Sequence, residues 1–153
     1  MKTLKGVFTP KNPLKYRGNP TRIVFRSSWE LKIMKYFDMN EHIIEWSSEE
    51  FWIPYRSPLD NKIHRYFPDF KIKVKDKYGN VTTKVIEIKP KNQITPPQKK
   101  NRITKNYLKE IATWGINSEK WKSATEYCSD RRWEFLILTE RELGINRRQH
   151  SVG

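Results

Sequence analysis

The chain has 153 residues, and its 31 Lys and Arg against 17 Asp and Glu give a formal net charge of +14. This positive excess favours a polyanionic partner, with nucleic acid as the first candidate. The single cysteine, Cys128, excludes an intramolecular disulfide and any zinc site built from several cysteines. No apolar run approaches the length that spans a bilayer, so we expect no membrane partner.

The first 26 residues are basic and contain no acid. They include seven Lys or Arg, three Pro and two Gly, a composition with few apolar side chains to form a core. We therefore predict an extended basic arm over residues 1–26, a globular domain over 27–143 and a polar tail over 144–153.

A helix is predicted over residues 28–39, and Glu30 in its first turn allows two interpretations. Ser27 and Glu30 have the spacing of a capping box, in which the glutamate accepts a hydrogen bond from the backbone at the helix start. At 100° per residue, however, Glu30 also shares a face with the apolar Ile33 and Phe37. A carboxylate on a core-facing arc needs a partner, so Glu30 is also a candidate site residue. The two roles are compatible.

The remaining pattern predicts strands, then helices, then a strand. Alternating and β-branched residues indicate the strands, and apolar residues at helical spacing indicate the helices. The predicted strands cover 51–56, 63–74, 81–90 and 132–139, with a turn over 58–61, and the predicted helices cover 99–113 and a segment from Asn117 or Ser118 to Cys128. This αβββαβ order predicts an α/β fold with a mixed four-stranded sheet flanked by helices.

The central hairpin gathers charged residues through its apolar pattern. Apolar side chains alternate along 70–74 and again along 84–89. Residues opposite each other in an antiparallel pair point to the same face, and a slip by one residue would bury charge. The register that pairs the two apolar faces leaves Asp69 across from Glu87 or Lys89.

Two carboxylates at close range repel each other unless a cation lies between them or one is protonated. A pair of hard oxygen ligands suits Mg²⁺, with Mn²⁺ as the second choice, since Mg²⁺ uses one or two carboxylates together with waters and substrate phosphate. Lys89 would lie within reach of the same water and phosphate. The alternative is an ordinary exposed hairpin whose cross-strand Asp–Lys or Glu–Lys pairs contribute little.

The motifs Pro-Asp at 68–69 and Glu-Ile-Lys at 87–89, after a helix that carries Glu30, resemble the PD-(D/E)xK nuclease superfamily. The segments "FRSSWE", "FWIPY", "RYFPDF", "EIKPKNQ" and "RWEFLILTE" resemble the head-completion nucleases of T-even-type tailed bacteriophages over nearly the whole chain. They are more distantly similar to the nuclease subunit of a heteromeric transposase.

The resemblance implies a restriction-endonuclease-like core and a set of site residues. Asp69 and Glu87 would be metal ligands, Lys89 the catalytic lysine, and Glu30 the helix-borne carboxylate that joins the metal site. Gln98 stands near the position of a helix-start glutamine in related nucleases. Basic residues that flank the site in sequence are candidates for the DNA backbone: Arg26, Lys91, Lys99, Lys100 and Arg102.

Together these observations predict an Mg²⁺-dependent deoxyribonuclease that binds DNA without reading its sequence. The phage resemblance implies a protein of the virion head–neck region, assembled in the host cytoplasm, that acts on packaged DNA beside head and neck proteins. Two alternatives stay open. One is a structural virion or DNA-end-binding protein without catalysis, and the other is a transposase-type nuclease subunit.

Overall fold

A computed structural model of the protein describes residues 4–144, and the predicted polar tail beyond Gly144 lies outside the described residues. Two short 3₁₀ turns, Pro13–Lys15 and Lys91–Gln93, accompany the regular elements. In chain order these are β1 (Gly6–Phe8), β2 (Ile23–Phe25), α1 (Ser28–Met39), β3 (Ile43–Ser48), β4 (Ile53–Arg56), β5 (Ile63–Tyr66), β6 (Phe70–Lys75), β7 (Val81–Ile88), α2 (Lys105–Asp130) and β8 (Glu134–Leu138).

A mixed four-stranded sheet forms the centre of the protein. Its strand order is β3-β6-β7-β8, in which β3, β6 and β7 pair antiparallel and β8 pairs parallel to β7. Two small antiparallel sheets, β1-β2 and β4-β5, accompany it. Along the chain the core reads α1, β3, β6, β7, α2, β8, so the predicted α/β class, four-stranded sheet and αβββαβ order are confirmed.

The two faces of the sheet bury two separate apolar cores. On one face the side chains of α1 and the N-terminal segment pack against β3, β6 and β7, with Phe37, Trp46 and Phe70 in mutual aromatic contact. On the other face Val85 of β7 packs with Ala124 and Cys128 of α2 and with the β4-β5 sheet. The sheet thus lies between one helix on each side, as expected for an α/β layer arrangement.

The β6-β7 register agrees with the predicted pairing of apolar faces. Phe70 lies opposite Ile86, whereas Ile72 lies opposite Lys84. The Lys84 ammonium lies 3.5 Å from a carboxylate oxygen of Glu134 at the start of β8. The face toward α1 is therefore apolar near the site and polar at its far end.

The edge strand β3 of the main sheet is a difference from the sequence analysis, which predicted no element over residues 43–48. Its alternation is interrupted, because the pairing with β6 shifts between Ile43 and Glu45, and Trp46 and Ser47 are both buried. A bulge of this kind breaks the period of two that identifies a strand in sequence. The predicted strand at 51–56 instead forms β4, in the small sheet outside the main one.

The predicted strand over 63–74 is two strands in the structure. β5 pairs with β4, and β6 pairs with β3 and β7 in the main sheet. The chain changes sheets at Phe67-Pro68-Asp69, where Pro68 has no N–H to contribute to a ladder. Because of this break, Asp69 lies just before the first residue of β6, outside the regular strand pairing.

The two helices predicted over 99–113 and from Asn117 or Ser118 are one continuous helix, α2. It begins with Thr104, whose hydroxyl accepts a hydrogen bond from the Tyr107 N–H at 3.1 Å, and it runs through Gly115 without a break. A glycine inside a helix costs only about 1 kcal/mol relative to alanine, so a single glycine does not have to end a helix of 26 residues. No helix within residues 4–144 is long and apolar enough to cross a membrane.

Instead of an extended arm, residues 4–26 fold onto the α1 face of the sheet. Strands β1 and β2 pair, and the backbone N–H groups of Lys11 and Asn12 donate to the buried Asp38 carboxylate at 2.8 and 3.0 Å. The segment buries four large apolar side chains: Phe8, Tyr16, Ile23 and Phe25. These four residues are irregularly spaced, so they show neither a helical nor a strand period in the sequence, and the seven basic residues dominate the composition of the segment. The domain boundary at residue 27 stays a prediction.

The buried N-terminal segment leads to a test. We expect Phe8→Ala to lower the free energy of unfolding by about 3–5 kcal/mol, since the Phe8 side chain is 7% exposed and its removal leaves a cavity. Leu14 is 92% exposed in the same segment, so Leu14→Ala should change stability by less than about 0.5 kcal/mol. Urea unfolding of both variants checks this. Equal and small effects would show that the segment contributes nothing to the fold.

Candidate active site

The site lies where β6 begins and β7 ends. Asp69 directly precedes β6, Glu87 is the penultimate residue of β7, and Lys89 directly follows β7. The pairing of Phe70 with Ile86, continued by one residue, puts Asp69 opposite Glu87. The parity of the hairpin therefore brings together the three residues that the sequence analysis singled out.

Hydrogen bonds to the protein fix both carboxylates of the hairpin. The backbone N–H of Ile88 donates to Asp69 Oδ2 at 2.7 Å. The buried Tyr66 hydroxyl donates to Oε2 of the buried Glu87. In the described part of the chain, the second oxygen of each carboxylate has no hydrogen-bond donor. One oxygen of each group thus orients the side chain, and the other is available for a ligand.

The electrostatics of this pair are those of two acids crowded together. Burial raises the pKa of Asp69 well above its usual range, and the charges of Glu87 and Glu30 raise it further. The Ile88 N–H and the Lys89 ammonium oppose this rise. Burial likewise raises the pKa of Glu87, against the Tyr66 hydrogen bond and the charge of Lys89. A bound cation would favour the ionised form of both groups.

Glu30 lies in the first turn of α1, next to its cap residue Ser27 and near the site. The Glu30 N–H donates to Ser27 Oγ at 3.1 Å, as a capping box requires. The Glu30 carboxylate accepts from the Ser27 hydroxyl at 3.3 Å and from the Arg26 N–H at 3.4 Å, not from the Ser27 N–H. Burial raises the pKa of Glu30, and its charge in turn raises the pKa of Asp69. Glu30 therefore lies within electrostatic reach of the hairpin.

The structure adds Glu49 to the site, a residue that the sequence analysis did not identify. It follows β3, has a positive φ of 55°, and its N–H donates to the Asp69 carbonyl at 3.1 Å. Its two carboxylate oxygens lie 2.7 and 2.8 Å from one guanidinium nitrogen of Arg26. Arg26, predicted as a DNA contact, is thus paired with an acid at the edge of the site. Nothing in the sequence marks Glu49.

Tyr66 and Lys120 also belong to the site and were missed in the sequence. Lys120 Nζ lies 5.6 Å from the ring centre of Tyr66, whose hydroxyl binds Glu87. One signal was present: Lys120 precedes the buried Ala124 by one helical turn and Cys128 by two, so it lies on the core-facing stripe of α2. A lysine on such a stripe is unusual.

The other predicted DNA contacts lie on the loop between β7 and α2. Gln98 is in this loop before Lys105, so the expectation of a helix-start glutamine is corrected: α2 begins later because Thr104 supplies its cap. Gln98 and Lys100 line a cleft of about 760 Å³ between the loop and α2. Lys100 also forms an ion pair with Glu110 at 3.7 Å. Exposed side chains on the same loop are Lys91, Lys99 and Arg102.

The residues present fit a magnesium ion with few protein ligands. No group of three or more His, Cys, Asp or Glu within residues 4–144 is close enough to enclose a metal ion by itself. Mg²⁺ needs only one or two carboxylates when waters and substrate phosphate complete its shell. Asp69 and Glu87 provide two, and each has one oxygen that accepts no hydrogen bond from residues 4–144.

An αβββαβ core that carries a Pro-Asp before one strand, Glu-x-Lys at the end of the next and a glutamate on the first helix defines a nuclease of the PD-(D/E)xK class. The family model "TnsA-like endonuclease N terminal" matches residues 40–140, from β3 through β8. The chain therefore belongs to the TnsA-like endonuclease family. It is 42% identical over 139 residues to the head completion nuclease of Enterobacteria phage T4, which covers 88% of this chain and 90% of that protein. Both predicted resemblances are confirmed.

The raised carboxyl pKa values predict an unusual pH dependence of stability. A raised pKa means that the folded state binds more protons than the unfolded state, whose Asp and Glu titrate near 3.8 and 4.5. The contribution of this pair to stability is therefore complete below those values and is lost as pH rises through the raised pKa values. In EDTA, Asp69→Asn should flatten the fall in unfolding free energy above pH 4.5.

Urea unfolding in EDTA across pH 4 to 8 measures this, with the exposed Glu41→Gln as the matched control. The control should retain the wild-type pH dependence. A parallel dependence in Asp69→Asn and the wild type would show that Asp69 is not perturbed.

Proposed function

We propose that the protein is an Mg²⁺-dependent deoxyribonuclease that hydrolyses phosphodiester bonds. The observation that carries this proposal is the pair Asp69 and Glu87, two acids where β6 begins and β7 ends. Each has one oxygen fixed by a hydrogen bond and, among the described residues, one oxygen without a donor. Such an arrangement costs folding free energy in the absence of a cation. A purely structural virion or DNA-end-binding protein would have no use for it.

Bound Mg²⁺ would supply a Lewis acid for the phosphate and lower the pKa of an attacking water. Asp69 and Glu87 would hold the ion through their free oxygens, and Tyr66 keeps Glu87 in place. Lys89, half-buried beside both acids, would orient the water and offset charge that develops on the phosphate. Glu30 would complete the acidic side of the site from the start of α1.

The positive surface supports binding of DNA without sequence readout. Lys and Arg that neutralise phosphates bind any sequence, because the backbone is common to all. Exposed basic residues on the loop after β7, such as Lys91 and Lys99, lie next in the chain to the site. They would bind the duplex backbone while Asp69 and Glu87 hold the metal ion at the phosphodiester bond to be cleaved.

We also propose that the protein is a phage head-completion nuclease that acts on packaged DNA at the head–neck junction. The support is the similarity to the T4 head completion nuclease over nearly the full length of both chains. Head and neck proteins would then be its partners, and the virion, assembled in the host cytoplasm, its location. Mass spectrometry of purified phage particles tests this location. A transposase-type nuclease subunit is the second candidate, since the family match supports it.

Loss of either hairpin carboxylate should abolish cleavage. Asp69→Asn and Glu87→Gln each remove a charge that the ion requires, so we expect no Mg²⁺-dependent cleavage from either variant. DNA binding should persist or strengthen, because a negative charge near the phosphate is gone. The assay incubates linear, circular and branched DNA with Mg²⁺ or EDTA, with Glu41→Gln as the control. Wild-type rates in either carboxylate variant would refute the metal assignment.

Glu30→Gln separates capping from catalysis. The single amide oxygen of glutamine can accept from the Arg26 N–H, and its NH₂ group can donate to the Ser27 hydroxyl. Ser27 Oγ still accepts from the N–H of residue 30, so the cap should survive. Loss of the charge alone should reduce cleavage by orders of magnitude, while stability without metal holds or rises because Asp69 has lost a repelling neighbour. Cleavage kinetics and urea unfolding measure both effects. Full activity would assign Glu30 to the cap only.

A further inference from the structure

Lys120 is a charged residue on the buried stripe of α2. It is half-buried, and its helix packs Ala124 and Cys128, 0% and 1% exposed, against β7 and the β4-β5 sheet. A lysine in this position commonly extends its alkyl stem along apolar surface and places the ammonium at a polar boundary. The polar boundary here is the site formed by Glu87 and its neighbours.

Aromatic rings position the Lys120 ammonium. Nζ lies 5.7 Å from the ring centre of Tyr55 and 5.6 Å from that of Tyr66, within the range of a cation–π contact. The Tyr66 hydroxyl in turn donates to Glu87. The ammonium, the Tyr66 ring and the Glu87 carboxylate thus form one connected group on the α2 side of the sheet.

The ammonium lies within electrostatic reach of the site but has no ion-pair partner of its own in the described part of the chain. Burial lowers the pKa of Lys120, whereas the charge of Glu87 raises it and that of Lys89 lowers it. Within residues 4–144, no carboxylate oxygen lies within 4.0 Å of Lys120 Nζ. A half-buried cation without an ion pair is costly unless an anionic ligand completes it.

We propose that Lys120 forms a second phosphate-binding subsite, which holds a phosphate of the cleaved DNA strand from the α2 side while Lys89 acts from the end of β7. This inference rests on the proposed nuclease function and adds a contact outside the Glu-x-Lys motif. The two lysines come from different elements, and both charges act on Glu87. A strand that enters the site is thereby held at two points, and the scissile phosphate is fixed between them.

The experiment uses the full chain and three variants. Lys120→Met keeps an unbranched stem against Tyr55 and Tyr66 but removes the charge, and Lys120→Arg keeps the charge. Lys122→Met removes an exposed lysine from the same helix and is the matched control. The measurements are urea unfolding, binding of a labelled DNA duplex in EDTA across a salt series, and single-turnover cleavage in Mg²⁺.

For Lys120→Met we expect near-wild-type stability, cleavage that is slower by roughly tenfold or more, and a slope of log K against log salt reduced by about one. Lys120→Arg should recover the salt slope and most of the cleavage rate. Lys122→Met should leave both unchanged. A purely structural role for Lys120 would alter stability but not the salt slope.

A wild-type slope and rate in Lys120→Met would overturn the subsite. If Lys120→Met does not fold, Lys120→Arg decides. A wild-type salt slope in Lys120→Arg supports the subsite, and a slope reduced by about one overturns it. Failure of the proposed function is separate: the wild type would then not cut DNA, while the salt slope in EDTA would still decide whether Lys120 contacts phosphate.

Discussion

The pairing of β6 with β7 in one register is the constraint on which the site depends. With Phe70 opposite Ile86, the apolar face of the hairpin packs under α1, and the opposite face presents Asp69 and Glu87. A slip by one residue would turn the acids into the apolar core and the apolar residues toward α2. The same packing that stabilises the fold therefore determines the position of the candidate ligands.

Placing two acids at this position costs electrostatic free energy, and specific hydrogen bonds hold the two side chains there. Buried like charges repel, so each acid is fixed by a hydrogen bond, Asp69 from the Ile88 N–H and Glu87 from Tyr66. The ammonium of Lys89 offsets part of the charge. A bound cation would relieve the residual repulsion, which would couple the stability of this region to its proposed chemistry.

Elements from both sides of the sheet converge on this point. Helix α1 brings Glu30 from one face, and α2 brings Lys120 from the other, while the turn after β3 adds Glu49. The N-terminal segment holds α1 in place through Asp38 and through its buried aromatic residues. The acidic and basic side chains of the site thus come from separate elements, and only the packing of those elements brings them together.

The sequence by itself determined the α/β class, the hairpin parity and the shared position of Asp69, Glu87 and Lys89, because side-chain alternation is a local property of a strand. It did not determine β3, whose bulge hides the alternation, or the continuity of α2 through Gly115. Only the tertiary structure placed Lys120 beside Tyr66 and Glu49 beside Arg26. These contacts join residues far apart in the chain, and the docking of α2 and the N-terminal segment on the sheet, not local preference, brings them together.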